Sequence, residues 1–161
     1  MSTELSMLKV AILNEQQGYR FYVDAVAKVT DEGAKAAFAQ LANDEKDHER
    51  ILRGMFESMR KEQRVSVYED EGGYIVEPRV FRRANQTLLA DDYEMAAYKM
   101  AILFEEASER YYRESAAKTE SQDIKKMLLQ LADWEASHGA SLKDIYEALR
   151  EEWWKKEGLT T

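Results

Sequence analysis

Glu45-Lys46-Asp47-His48 recurs ninety residues later as Glu135-Ala136-Ser137-His138, and these two histidines are the only ones in the chain. Three residues along an α-helix is about 300° of rotation and roughly 4.5 Å of rise, so each Glu and its His share one helix face and can grip one metal ion. A single Glu-x-x-His in so acidic a chain reads as an exposed helical pair. Two copies at a fixed interval need another explanation.

Around each motif the interior-type residues step by four and three, the mark of a helical core stripe. One stripe is Ala34, Phe38, Leu41, Glu45, His48, Leu52, Met55 and Met59; another is Ile124, Leu128, Leu131, Glu135, His138, Leu142, Ile145 and Leu149. Both pairs therefore face inward. Upstream of the first runs Leu8, Ile12, Glu15, Tyr19, Tyr22, Val26 and Val29, and upstream of the second runs Tyr98, Ile102, Glu105, Glu109, Tyr112 and Ala116. Glu15 stands where an apolar residue belongs, and a lone buried carboxylate is costly unless paired or metal-bound.

Thr30-Asp31-Glu32-Gly33 interrupts the first pair of stripes, with Asp31 placed to cap the next helix, and Ser121 takes the same role in the second. Glu15 lies 16 residues before Asp31, while Glu45 and His48 lie 14 and 17 after it; Glu105, Glu135 and His138 repeat these counts about Ser121. At about 1.5 Å per residue the heights are roughly 24, 21 and 26 Å, so an antiparallel hairpin brings each trio to one level. Laid over itself at an offset of ninety, the chain aligns Ala11-Ile12-Leu13 with Ala101-Ile102-Leu103, Arg20 with Arg110, Tyr22 with Tyr112 and Gln40-Leu41-Ala42 with Gln130-Leu131-Ala132. This is an internal duplication of a helical hairpin.

Residues 62–92 read differently, with Val65-Ser66-Val67-Tyr68 and Tyr74-Ile75-Val76 flanking Glu71-Gly72-Gly73 ahead of the single proline, Pro78. They make a connector long enough to run the height of a bundle. The Gly-Gly offers the turn of a small β-hairpin, a structure marginal by itself. The expectation is one all-α domain over 1–161, a four-helix bundle built from hairpins 4–61 and 93–153 joined by crossover 62–92.

Composition agrees. One proline and seven glycines, with 34% charged and 45% hydrophobic residues, suit amphipathic helices with wet outer faces. A net charge of −8 disfavours nucleic acid as a partner. The absence of cysteine excludes disulfides, thiolate zinc sites, iron–sulfur clusters and a rubredoxin-type iron. With no basic leader and no apolar run of membrane-spanning length, the expectation is a cytoplasmic protein with no membrane partner.

Two such hairpins packed face to face bring four carboxylates and two imidazoles together. One Glu from each of two helices and Glu-x-x-His from each of the other two is the ligand set of di-iron and di-manganese carboxylate proteins. Four carboxylates and two divalent cations cancel in charge, which makes burial tolerable. Oxygen-rich ligation with one nitrogen per ion suits iron or manganese, and zinc can also occupy such sites.

On Glu15, Glu45-x-x-His48, Glu105 and Glu135-x-x-His138, nearly the whole chain resembles the rubrerythrin branch of the ferritin-like superfamily, in the form without a rubredoxin domain. The resemblance implies a ferritin-like bundle with two iron ions, Glu45 and Glu135 bridging, Glu15 and Glu105 as the other carboxylates, and one histidine on each iron. It also implies that Tyr22 and Tyr112 hydrogen-bond the carboxylates; by their spacing alone they are equally well ordinary bundle core. Rubrerythrins carry a further glutamate one turn along the third helix. Here Ser108 stands three residues after Glu105 and Glu109 four after, so Glu109 is a candidate seventh ligand or the partner of a nearby arginine. Glu106-x-x-Glu109 offers another phasing, but the duplication favours Glu105.

The activity implied is reduction of hydrogen peroxide or dioxygen, with electrons from a separate donor protein, in a homodimer or higher oligomer. The alternative is a ferroxidase or iron-storage protein of the ferritin kind. A third reading, a metal-free helical adaptor, must bury four carboxylates without cations. Trp134, Trp153 and Trp154 read as core-edge or interface anchors. Asp44, Asp47 and Asp133 read as solvated residues, with orientation of a histidine as their other role.

Overall fold

The computed structural model describes residues 3–61 and 92–159. They form α1 (Thr3–Lys28), α2 (Glu32–Arg60), α3 (Asp92–Lys118) and α4 (Gln122–Lys156), with no strand among the described residues. Most of the connector, including Gly72-Gly73 and Pro78, lies outside them. The fourth helix continues past the expected 153 to Lys156.

Both caps are where the sequence puts them. The Asp31 carboxylate accepts from the Ala34 amide at 2.7 Å, and Ser121 Oγ from the Ile124 amide at 3.4 Å, each satisfying one of the free donors at a helix start. Linkers of three residues, 29–31 and 119–121, leave α1 no course but back along α2, and α3 along α4. Between hairpins, Tyr22 meets Glu105 while Glu15 meets Tyr112, so α1 and α3 run antiparallel. On the other side Asp44 meets His138 while His48 meets Trp134, so α2 and α4 do too. Hence α2 ends and α3 begins at opposite ends of the bundle, the arrangement a long crossover connection requires.

The core is two apolar bodies. One contains Tyr22, Phe38, Leu41, Tyr98, Ile102 and Leu142; the other contains Leu8, Leu52, Tyr112, Leu128, Leu131 and Trp134. Between them lies a layer of buried Glu and His. In α1 the buried line is Leu8, Ala11, Glu15, Gly18, Tyr22 and Ala25, continued by Val29 just past its end, and the expected Ile12, Tyr19 and Val26 sit half-buried on its shoulder. Small residues face inward because α1 and its neighbours approach closely. A Cβ on Gly18 would fall 2.6 Å from the Phe104 ring and 3.0 Å from Glu45 Oε1. No helix among the described residues is long and apolar enough to cross a membrane.

Candidate metal centre

Each ligand candidate is held by a long helix whose flanking turns are anchored in the apolar bodies, so the layer is fixed from both sides. Glu15, Glu45, His48, Glu105, Glu135 and His138 are all buried. They form two overlapping groups able to hold a metal ion, Glu15 with Glu45, His48 and Glu135, and Glu105 with Glu135 and His138. Glu135 belongs to both. Its oxygens stand 3.1 Å from Nδ1 of His48 and 3.4 Å from Nδ1 of His138. Nδ1 of His48 also faces Glu15 at 3.2 Å and Glu45 at 3.5 Å, and Nδ1 of His138 faces Glu105 at 3.6 Å. The two imidazoles stack with centroids 5.9 Å apart.

The tyrosines reach across from one hairpin to the other. Tyr22 of α1 donates to Glu105 of α3, and Tyr112 of α3 donates to Glu15 of α1. They are therefore core residues and partners of the carboxylates at once, since each ring fills an apolar body while its hydroxyl meets the polar layer.

Glu109 does not join the layer. Its carboxylate accepts from Nε of Arg113 at 2.8 Å on a partly exposed flank, while Ser108 takes the buried position on that turn. The arginine pairing is the one of its two expected roles that is seen. The physical reason is the side on which the neighbouring helices approach: Ser108 falls about 60° to one side of Glu105 and Glu109 about 40° to the other, and the Ser108 side is the buried one.

Asp44 takes the second of its two expected places, beside a histidine rather than in solvent: its Oδ2 faces Nε2 of His138 at 3.3 Å while its Oδ1 accepts from Gln40 at 2.8 Å. Trp134 sits deeper than a core-edge anchor, its ring stacked on His48 with centroids 5.2 Å apart and planes 10° from parallel. Asp47 and Asp133 are exposed and pair with Arg50 and Arg113. The repeat offset carried the missing signal, since 44 and 134 are equivalent positions flanking equivalent motifs.

Charges in the layer are strongly coupled. Burial pushes the carboxyls of Glu15, Glu45 and Glu105 up, and nearby carboxylates add to it. Glu135 goes the other way: burial opposes its charge too, but the His48 charge and close contacts with both histidines hold it below the usual carboxylate range. Burial likewise opposes charge on the imidazoles, yet Glu135 raises His48 well above its ordinary value, and Asp44 with Glu105 does the same for His138. Without metal, burial and mutual repulsion thus oppose charge on Glu15, Glu45 and Glu105, while the two histidines favour it on Glu135.

Metal fits this donor set. Both oxygens of Glu45 and of Glu135, and Oε2 of Glu105, are buried without a well-formed hydrogen bond, a costly arrangement that divalent cations would relieve. The donors, four carboxylates and one imidazole nitrogen for each of two ions, are those that iron or manganese accepts.

Comparison with known proteins supports the same reading. A protein of Pyrococcus furiosus described only as hypothetical has the same fold, with a TM-score of 0.70 and 23% identity over 92% of this chain and 91% of that one. No curated protein matches the chain. Residues 6–146, which include all six side chains of the polar layer, match the rubrerythrin family, and the chain belongs to that family.

Proposed function

We propose that the protein is a non-haem di-iron oxidoreductase that reduces hydrogen peroxide. The observation that carries this reading is the single buried layer in which Glu135 lies between two histidines, flanked by Glu15, Glu45 and Glu105. Glu15, Glu45 and His48 would hold one ion and Glu105 and His138 the other, with Glu135 shared between them; Glu45, the second bridge that the resemblance implies, falls in the first group only. Two ferrous ions held there would each supply one electron to peroxide, which takes up two electrons and two protons to give two waters.

The chain's own residues orient and insulate that chemistry. Tyr22 and Tyr112 fix the outer carboxylates from opposite sides. Burial and the adjacent Glu105 raise the Tyr22 phenol well above its ordinary value, so it remains a hydrogen-bond donor at neutral pH. The apolar bodies above and below keep bulk water from the layer, which strengthens every charge interaction inside it. These residues contain no cysteine, so the electrons that restore the reduced state come from a separate carrier.

The test is metal analysis of anaerobically purified protein followed by rapid mixing of the ferrous form with stoichiometric peroxide or with air-saturated buffer. Two irons per chain and oxidation much faster by peroxide are expected. Oxidation as fast by dioxygen would instead favour a ferroxidase or iron-storage role. A dimer by light scattering would argue against storage, which needs a closed cage.

A further inference from the structure

The duplication makes the two histidines equivalent in their motifs and in their helices, but not in what lies behind their rings. Position 44 of the first repeat corresponds to position 134 of the second, and each reaches across the bundle to the other repeat's histidine. Behind His138 is a carboxylate, Asp44, its Oδ2 3.3 Å from Nε2 and its Oδ1 anchored by Gln40 at 2.8 Å. Behind His48 is the flat face of Trp134. Among the described residues no carboxylate pairs with Nε2 of His48; its contacts with Glu15, Glu45 and Glu135 are all through Nδ1.

A carboxylate on the far nitrogen of a ligating histidine keeps the proton there, fixes the ring, and makes the near nitrogen a stronger donor. An indole stack supplies packing and orientation but no acceptor. We propose that Asp44 is a positioning residue for His138 alone, so that it sets the affinity of one of the two metal positions and leaves the other to be set by its own ligands. The inference rests on the metal-centre reading above. Trp134 holds the ring of His48 without altering its donor strength, and the two halves of the layer are thereby prepared differently.

The experiment is a titration of the metal-free protein with cobalt(II), following ligand-field absorption, for wild type, D44N, H138A and the D44N/H138A pair. Asn keeps the shape of Asp at this partly exposed site. Wild type should take up two ions; D44N should weaken one of them by about 10- to 100-fold and leave the other within about twofold. In the H138A background, D44N should have no further effect on the ion that remains, because it acts only through the missing ring. Equal weakening of both ions, no weakening, or an added loss in H138A would overturn the role of Asp44. Wild type that takes up no pair of ions would overturn the metal-centre reading, and this one with it.

Discussion

The first hairpin and the second place the same residue types in the polar layer and differ in residue type one shell further out. In α1 and α2, Glu49 is buried under Arg53 at 2.8 Å, Gln16 at 2.9 Å and Lys46 at 3.1 Å. At the equivalent positions α4 has Gly139 and Lys143, and Lys143 reaches instead to Glu106 of α3 at 2.7 Å. The cation at positions 53 and 143 keeps an anion in each copy, but the anion has moved from one helix to the other. Such half-exposed pairs contribute little, so they drift. The ligand positions, the tyrosines and the inward small residues cannot drift without exposing or misplacing a buried charge.

The sharpest break in the symmetry lies inside the layer itself, between the offset partners Glu45 and Glu135. Either change to Ala should abolish binding of two ions, as measured by metal content after dialysis. In the metal-free protein the two should separate. E135A leaves both histidines without the carboxylate they share and should cost roughly 3–5 kcal/mol in urea unfolding, whereas E45A removes a carboxyl whose charge burial already disfavours and should cost far less. Equal costs would mean that the layer is symmetric after all.

The same opposition sets a pH profile. Glu15, Glu45, Glu105, His48 and His138 are all raised on folding, so their stabilisation is complete below the ordinary values of 4.5 for Glu and 6.5 for His and is lost as pH rises through the displaced ones. Glu135, being lowered, contributes above 4.5 and loses that contribution as pH falls. Above pH 5 the Glu135 contribution is already complete, so only the raised groups still change. The thermal midpoint of metal-free protein should therefore fall as pH climbs from 5 through neutrality, and bound metal, having displaced the protons, should flatten the slope.

Leu41 and Leu131 are offset partners buried in different apolar bodies. Each change to Ala should cost about 2–5 kcal/mol, and the double variant should equal the sum within about 0.5 kcal/mol. A larger discrepancy would show that the polar layer couples the two bodies. The smallest contrast is at the caps: D31A should cost about 1 kcal/mol and S121A less, because the first bond is 2.7 Å and the second 3.4 Å.

The helices, both caps and the level shared by six residues were legible because they depend on counting along the chain. The four-and-three stepping, the three-residue linkers and the repeated intervals about Asp31 and Ser121 leave little freedom. What could not be counted was which residue of a shoulder turns inward. Ile12 and Tyr19 yielded the interior to Ala11 and Gly18 because helix approach, a property of the pair, decides that. Glu109 yielded to Ser108 for the same reason. Which of Asp44, Asp47 and Asp133 meets a histidine was equally hidden, since the partner of Asp44 lies 94 positions away on a helix from the other repeat.

The antiparallel crossing of α1 with α3 and of α2 with α4 has a consequence for ancestry. The contacts that meet the polar layer across the bundle are returned: Tyr22 to Glu105 and Tyr112 to Glu15, position 44 to His138 and position 134 to His48. That reciprocity is what an isologous interface between two identical hairpins would produce, so an unlinked pair of half-length chains could have built the same layer. In such a pair positions 44 and 134 would have been one residue, bound to face both histidines alike. Only after the two copies shared a single chain could one of them become Asp and the other Trp.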